Sequence, residues 1–188
     1  GDGTGTIYLW GAQLEAGAFP TSYISTTTAA VTRSADVASI SGSNFSSWYR
    51  QDEGTMFAEC LTLNNSTTNG IFSLNDNTSN NRIDIRQQTS TLRGFVTDAG
   101  VAQATNNMGS IPASNTVFKS SFSYAANDFS LTYGGLAPVT DSAGTVPTLT
   151  QARIGQLDAG INTFNGCIRR VVFWPKRSSG ATLQAITQ

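Results

Sequence analysis

One feature of this chain constrains its fold more than any other. Short apolar stretches that alternate with polar residues recur roughly every 8–15 positions, and clusters of Gly, Asn, Asp and Ser separate them. Period-two alternation places successive side chains on opposite faces of a strand. Helical periodicity is almost absent, so the chain reads as an all-β sandwich or barrel. Strands are expected near Thr6–Leu14, Val37–Ile40, Gly54–Leu63, Gly70–Asn75, Asn81–Gln87, Thr91–Thr97, Thr116–Tyr124, Asp128–Tyr133, Leu136–Asp141, Gln151–Gly155 and Asn165–Trp174. The Asn-rich segments 64–70 and 76–81 tolerate left-handed backbone and bond their own main chain. Asp98-Ala99-Gly100 and Tyr133-Gly134-Gly135 read as hairpin connections. The one helix expected is Ser179–Ile186, capped by Ser178 or Ser179, with Leu183 and Ile186 facing the body. It is short enough that it must dock to exist. Residues 15–36 lack alternation and read as an extended connector.

The 188 residues suit one domain with an appended arm, so the expected division is 1–36 and 37–188. There is no histidine. That excludes Ser-His-Asp and Cys-His nucleophile pairs and imidazole metal sites. A formal net charge of −1 with two lysines argues against nucleic acid, whose phosphates demand a basic surface. Apolar runs are too short to cross a membrane, and no segment resembles a signal peptide. Charged residues are 12% of the chain, about half the usual share. Solubility therefore comes from hydroxyls and amides, which favours an extracellular or virion-type protein.

Several residues could bind sugars, which are held by aromatic stacking and planar polar groups at loops. Trp48 and Tyr49 precede an expected strand, and Tyr133 lies at a turn. Asn64, Asn65, Asp76, Asn77 and Arg82 would supply polar partners if their loops converge. The opposing reading packs Trp48 and Tyr49 over the sandwich edge. Trp174 is expected in the core. Asp76, Asn77 and Asn80, beside Asn75 and Asp84, form a candidate calcium loop of modest affinity. A hydrogen-bonded hairpin loop explains the same residues. No other cofactor is expected. Glycoside hydrolysis needs two carboxyl groups at set separations. Glu59 and Asp84 stand alone on their strands, and Asp52 and Glu53 are adjacent, so no catalytic pair is expected.

Two segments carry a resemblance. Residues 8–17 (YLWGAQLEAG), then 20–24 (PTSYI) and 31–36 (VTRSAD), resemble a connector between jelly-roll modules of bacteriophage tail and tail-fibre proteins. Residues 164–177 (FNGCIRRVVFWPKR) followed by 181–187 resemble the last strand and closing helix of concanavalin A-like (laminin G-like) sandwiches in those proteins, and 54–59 (GTMFAE) their opening strand. The resemblance implies a 12-to-14-stranded antiparallel concanavalin A-like jelly roll with an N-terminal arm and one short C-terminal helix. It also implies a virion tail location after assembly in the host cytoplasm, and partners among other tail proteins. Its function would be non-catalytic attachment to bacterial surface polysaccharide, as a homo-oligomer with a trimer favoured. A purely structural assembly or decoration domain is the alternative, and a depolymerase a more distant one. In the resembled fold the first and last strands are neighbours, which would bring Cys60 and Cys167 within reach. A bridge would close a loop of about 108 residues and add roughly 4–5 kcal/mol. Two free thiols, kept reduced where such proteins assemble, is the favoured reading. Residues 171–174 (VVFW) are apolar on both faces, which predicts a strand central in a covered sheet.

Overall fold

The computed structural model describes residues 3, 5–15, 22–32, 37–63, 68–111, 113–158 and 162–188. They fall into two units, Gly1–Asp36 and Val37–Gln188.

In the first unit the described residues form no helix or strand. Ile24 N–H donates to Gln13 Oε1 at 2.8 Å, and the Trp10 and Tyr23 rings lie 5.1 Å apart. Ile7, Tyr8, Leu9, Trp10 and Leu14 are exposed, Trp10 by 87%. The strand expected over Thr6–Leu14 is therefore not one. A strand exists by its ladder, and no described segment pairs with this one.

The second unit is an antiparallel concanavalin A-like jelly roll. Its strands are β1 (Ala38–Ser41), β2 (Glu53–Thr62), β3 (Asn69–Asn75), β4 (Arg82–Gln88), β5 (Thr91–Asp98), β6 (Val101–Met108), β7 (Val117–Ala125), β8 (Asp128–Tyr133), β9 (Val139–Asp141), β10 (Gln151–Ile154) and β11 (Gly166–Trp174). One sheet runs β1-β10-β3-β4-β5-β6 and the other β11-β2-β7-β8-β9, eleven strands among the described residues and fewer than the 12–14 that the resemblance implies. Between them lie Met56, Ala58 and Cys60 of β2 and Phe118, Phe122 and Tyr124 of β7. Phe129 and Leu131 of β8 join them, facing Phe72, Leu74, Ile83, Ile85, Leu92 and Val96 of the six-stranded sheet. Gly94 permits close approach there, since a Cβ would sit 2.6 Å from the Phe122 ring.

Two elements were not expected. The strand β6 is polar by sequence, yet Ala104, Asn106 and Met108 turn inward and Asn106 Nδ2 donates to the Val139 carbonyl at 2.8 Å. A one-turn helix α1 (Ser43–Ser46) drops Phe45 into the core. The C-terminal helix α2 (Gly180–Thr187) begins at Ser179, whose Oγ accepts from Thr182 N–H at 3.3 Å. Leu183 is buried where α2 packs on β7 and β8.

The first and last strands of the five-stranded sheet are neighbours, β2 beside β11. However, β11 is an edge strand and not a central one. Both its faces are apolar because each has cover of its own. Val171 and Phe173 pack on the core, while Val172 and Trp174 line the outer side with Phe57 and Ile186 of α2. Trp174 is accordingly outside the core and 38% exposed. Register also decides the cysteines. Cys167 pairs with Leu61, one position from Cys60, so the two thiols point to opposite faces. Both are free, Cys60 buried and Cys167 exposed. Burial first, then nearby Cys167 and Glu59, pushes the Cys60 thiol up to about 12.

Candidate functional site

Strand β4 reads Arg82, Ile83, Asp84, Ile85, Arg86. Alternation sends Ile83 and Ile85 into the core and the three charged residues to the outer face of the six-stranded sheet. In β5, Leu92, Gly94 and Val96 turn inward, leaving Arg93, Phe95 and Thr97 outside. Register sets Asp84 opposite Phe95, Arg86 opposite Arg93 and Arg82 opposite Thr97.

An outer face of a sandwich is ordinarily wet, yet Asp84 is 0% exposed. The cover is the segment 155–158, which leaves β10 and crosses β3. Ser73 Oγ and Asn75 Nδ2 both donate to the Leu157 carbonyl, at 2.7 and 2.9 Å. Gly70 makes room for it, because any Cβ there would stand 2.5 Å from the Gln156–Leu157 peptide. Asp158 is delivered to Arg82, whose Nη1 donates to its Oδ2 at 3.1 Å.

Beneath that strap, Arg86 grips Asp84 with two parallel bonds, Nε to Oδ1 at 2.7 Å and Nη2 to Oδ2 at 3.2 Å. Arg82 Nε approaches the same carboxylate at 3.4 Å. The Arg86 guanidinium stacks over the Phe95 ring, 4.0 Å from its centre. Burial raises the Asp84 carboxyl and lowers the Arg86 guanidinium, while each partner's charge pulls the other way. Arg153, on β10, donates from Nη1 to Gln156 Oε1 at 3.2 Å and from Nη2 to Asn77 Oδ1 at 2.7 Å. Four of the chain's nine arginines thus share a face with two carboxylates. The β5–β6 half of this face is open, with Phe95 and Arg93 half-buried and Thr105 and Asn107 exposed. Among the described residues, two buried polar atoms there have no hydrogen-bond partner, Arg93 Nε and Thr97 Oγ1. They flank Phe95 on its own strand, about 13 Å end to end at strand rise.

The residues expected to bind sugar do not converge. Arg82 belongs to this face, and Asn77 reaches it through Arg153. Asp76 sits beside them in the β3–β4 loop. Trp48 and Tyr49 lie elsewhere, packed with Phe45 and Phe173. There Trp48 helps line an apolar cleft of about 170 Å³ between β10 and β11. Burial first, against the Tyr124 hydrogen bond and with help from Asp52, pushes the Tyr49 phenol up to about 12. Tyr133 stands at the opposite end of the five-stranded sheet, its hydroxyl donating to the Ser110 carbonyl. Asn64 and Asn65 lie outside the described residues.

The proposed calcium ligands are engaged within the protein. Asp76 Oδ1 accepts from the Thr78 N–H and hydroxyl at 2.9 and 2.5 Å, and Oδ2 from Asn81 Nδ2 at 2.8 Å. Burial opposes ionisation of Asp76, and these bonds more than offset it, holding its carboxyl below the usual range. Asn77 Oδ1 faces the Arg153 guanidinium, which repels a cation. The Asn80 carbonyl accepts from Gly100 N–H. Among the described residues no three His, Cys, Asp or Glu side chains are grouped to hold a metal ion. Glu59 and Asp84 cannot act together, since they project from the outer faces of different sheets. Glu59 instead lies 3.5 Å from Arg170.

Sequence reasoning found Arg82 but missed Arg86, Arg93, Phe95 and Asp158. The available signal was the Arg-x-Asp-x-Arg alternation of β4 beside Arg-x-Phe in β5, charged residues on what is otherwise a hydroxyl-and-amide surface.

No family model matches this sequence, and no curated protein is similar to it in sequence. Solved structures share its fold. The carbohydrate-binding module CBM40 of the Ruminococcus gnavus IT-sialidase, bound to α2,3-sialyllactose, superposes with a TM-score of 0.61 at 13% identity, over 74% of this chain and 84% of that one. The leech intramolecular trans-sialidase complexed with 2,7-anhydro-Neu5Ac gives 0.59 at 15%, over 73% of this chain and 23% of that one. The SAP-like pentraxin of Limulus polyphemus gives 0.51 at 12%, over 72% and 70%. At these identities the likeness is one of fold.

Proposed function

We propose that this chain is a non-catalytic glycan-binding module whose ligand lies along β5 on the outer face of the six-stranded sheet. The observation that carries this reading is the half-open row Arg93–Phe95–Thr97. It offers an aromatic ring between two buried polar atoms that the protein leaves unpaired. Buried polar groups in native proteins nearly always have partners, and a ligand would supply them. The Asp84–Arg86 fork and the strap behind it fix the guanidinium that stacks on the Phe95 ring, so the ring is held in place. The CBM40 likeness supports a binding role for this fold. Bond cleavage finds no support, because Asp84 and Asp158 are both tied to guanidinium groups.

The resemblance of residues 8–36 and 164–187 to tail-fibre segments is the support for a virion tail location, with bacterial surface polysaccharide as the ligand source and other tail proteins as neighbours. The exposed apolar run 7–10 favours a second role, association between copies or with tail proteins, a trimer included. Glycan-array binding followed by calorimetry tests the binding role. Phe95→Ala should abolish binding while Trp48→Ala and Tyr133→Phe leave it intact. Absence of binding to any glycan by the folded protein would leave the structural role. Light scattering would then measure whether residues 1–36 assemble copies.

A further inference from the structure

We infer that the ligand carries a carboxylate and that Arg93 is its receptor. This inference rests on the glycan-binding reading and names the sugar class, an acidic one.

Arg93 and Arg86 face each other directly across β4 and β5. Like charges so placed repel, and each guanidinium needs an anion to offset the other. Arg86 has one, Asp84. Among the described residues Arg93 forms no ion pair, and the one hydrogen bond of its side chain runs from Nη1 to the neutral Gln88 Oε1 at 2.8 Å. Its Nε has no partner. The edge of Arg93 left over is therefore Nε–Nη2, the same edge with which Arg86 holds Asp84. Two parallel N–H groups on that edge match the two oxygens of a carboxylate, a fit that a hydroxyl cannot reproduce. Neighbouring Asn107, paired with Arg93 on the open side, can bond sugar hydroxyls around the acid. Nε is buried while the side chain is half-exposed, so binding through this edge requires the guanidinium to turn outward toward a ligand seated against Phe95.

The test compares 3′-sialyllactose, its carboxyl methyl ester, trigalacturonate, 3′-sulfolactose and lactose by calorimetry at low and moderate salt. At least one carboxylated sugar should bind tenfold or more tighter than lactose. Esterification should remove that gain without any change to the protein. Arg93→Gln should abolish the preference for acid, and Arg93→Lys should restore only part of it. In both variants the weaker binding of the neutral ring should persist. Equal binding of lactose and the acidic sugars would overturn the inference and leave the glycan-binding reading standing. A preference for 3′-sulfolactose alone would overturn the carboxylate assignment. Failure of every glycan to bind would overturn both. Should Arg93→Gln not fold, the methyl ester comparison decides.

Discussion

Asp84→Asn tests the buried cluster most directly. The carboxylate is fully buried, held by the Arg86 fork at 2.7 and 3.2 Å and approached by Arg82 at 3.4 Å. The amide keeps the shape and removes the charge, stranding the Arg86 guanidinium under the strap. Breaking a buried pair by removing one partner costs about 3–5 kcal/mol. With a urea slope of about 2 kcal/mol per molar, the unfolding midpoint should fall by about 1.5–2.5 M. Tryptophan fluorescence in urea measures it. Asp52→Asn is the control. Its pair with Arg50 lies at 2.6 Å but in solvent, so that midpoint should not move. The double substitution Asp84→Leu with Arg86→Met should recover much of the loss, since apolar replacement of a buried pair is often neutral. A midpoint shift below about 0.5 M for Asp84→Asn would refute the reasoning. So would a double variant as unstable as the single one, because the loss would then come from packing and not from stranded charge.

Four further outcomes follow from the same structure. In native protein one thiol per chain, Cys167, should react with a thiol reagent, and Cys60 only after unfolding; two fast thiols would contradict the register of β11 on β2. Because burial raises Cys60 to about 12, its neutral form stabilises the fold fully below the ordinary thiol value of about 8.5. That stability is lost as pH rises from there toward 12, by up to about 1.4 kcal/mol per pH unit, so the advantage of wild type over Cys60→Ala should shrink between pH 8 and 10.5. Gly94→Ala drives a methyl into the Phe122 ring and should cost about 1–3 kcal/mol in thermal unfolding, relieved in part by Phe122→Leu; an unchanged Tm would mean the sheets are farther apart than described. Ser179→Ala removes the cap of α2 and should cost about 1 kcal/mol by urea titration, and no change would show that helix docking alone holds it.

Much of the fold was legible in the sequence because alternation is a local signal. Ile83 and Ile85 mark β4, Leu92 and Val96 mark β5, and Ser179 marks the start of α2, each from residues within a few positions. Asp98-Ala99-Gly100 announced a turn, and both Ala99 and Gly100 take positive φ there. The strand β6 that follows was not legible, since its inward positions hold Ala104 and Asn106 and what makes it a strand is pairing with β5.

The site was almost illegible, for a physical reason. A chain states which residues alternate but not what lies over them. Arg82, Asp84 and Arg86 look like a solvated face until the strap 155–158, some 70 residues later, crosses β3 and buries them. Likewise only register turned Cys60 inward and Cys167 outward, and only sheet order made β11 an edge. The sequence by itself determined the strongly alternating strands, such as β4 and β5, the Asp98–Gly100 turn and the terminal cap, because those depend on neighbours along the chain. The tertiary structure decided which charges share a low-dielectric pocket and which guanidinium edge is left open, because those depend on segments that meet only when the two sheets close.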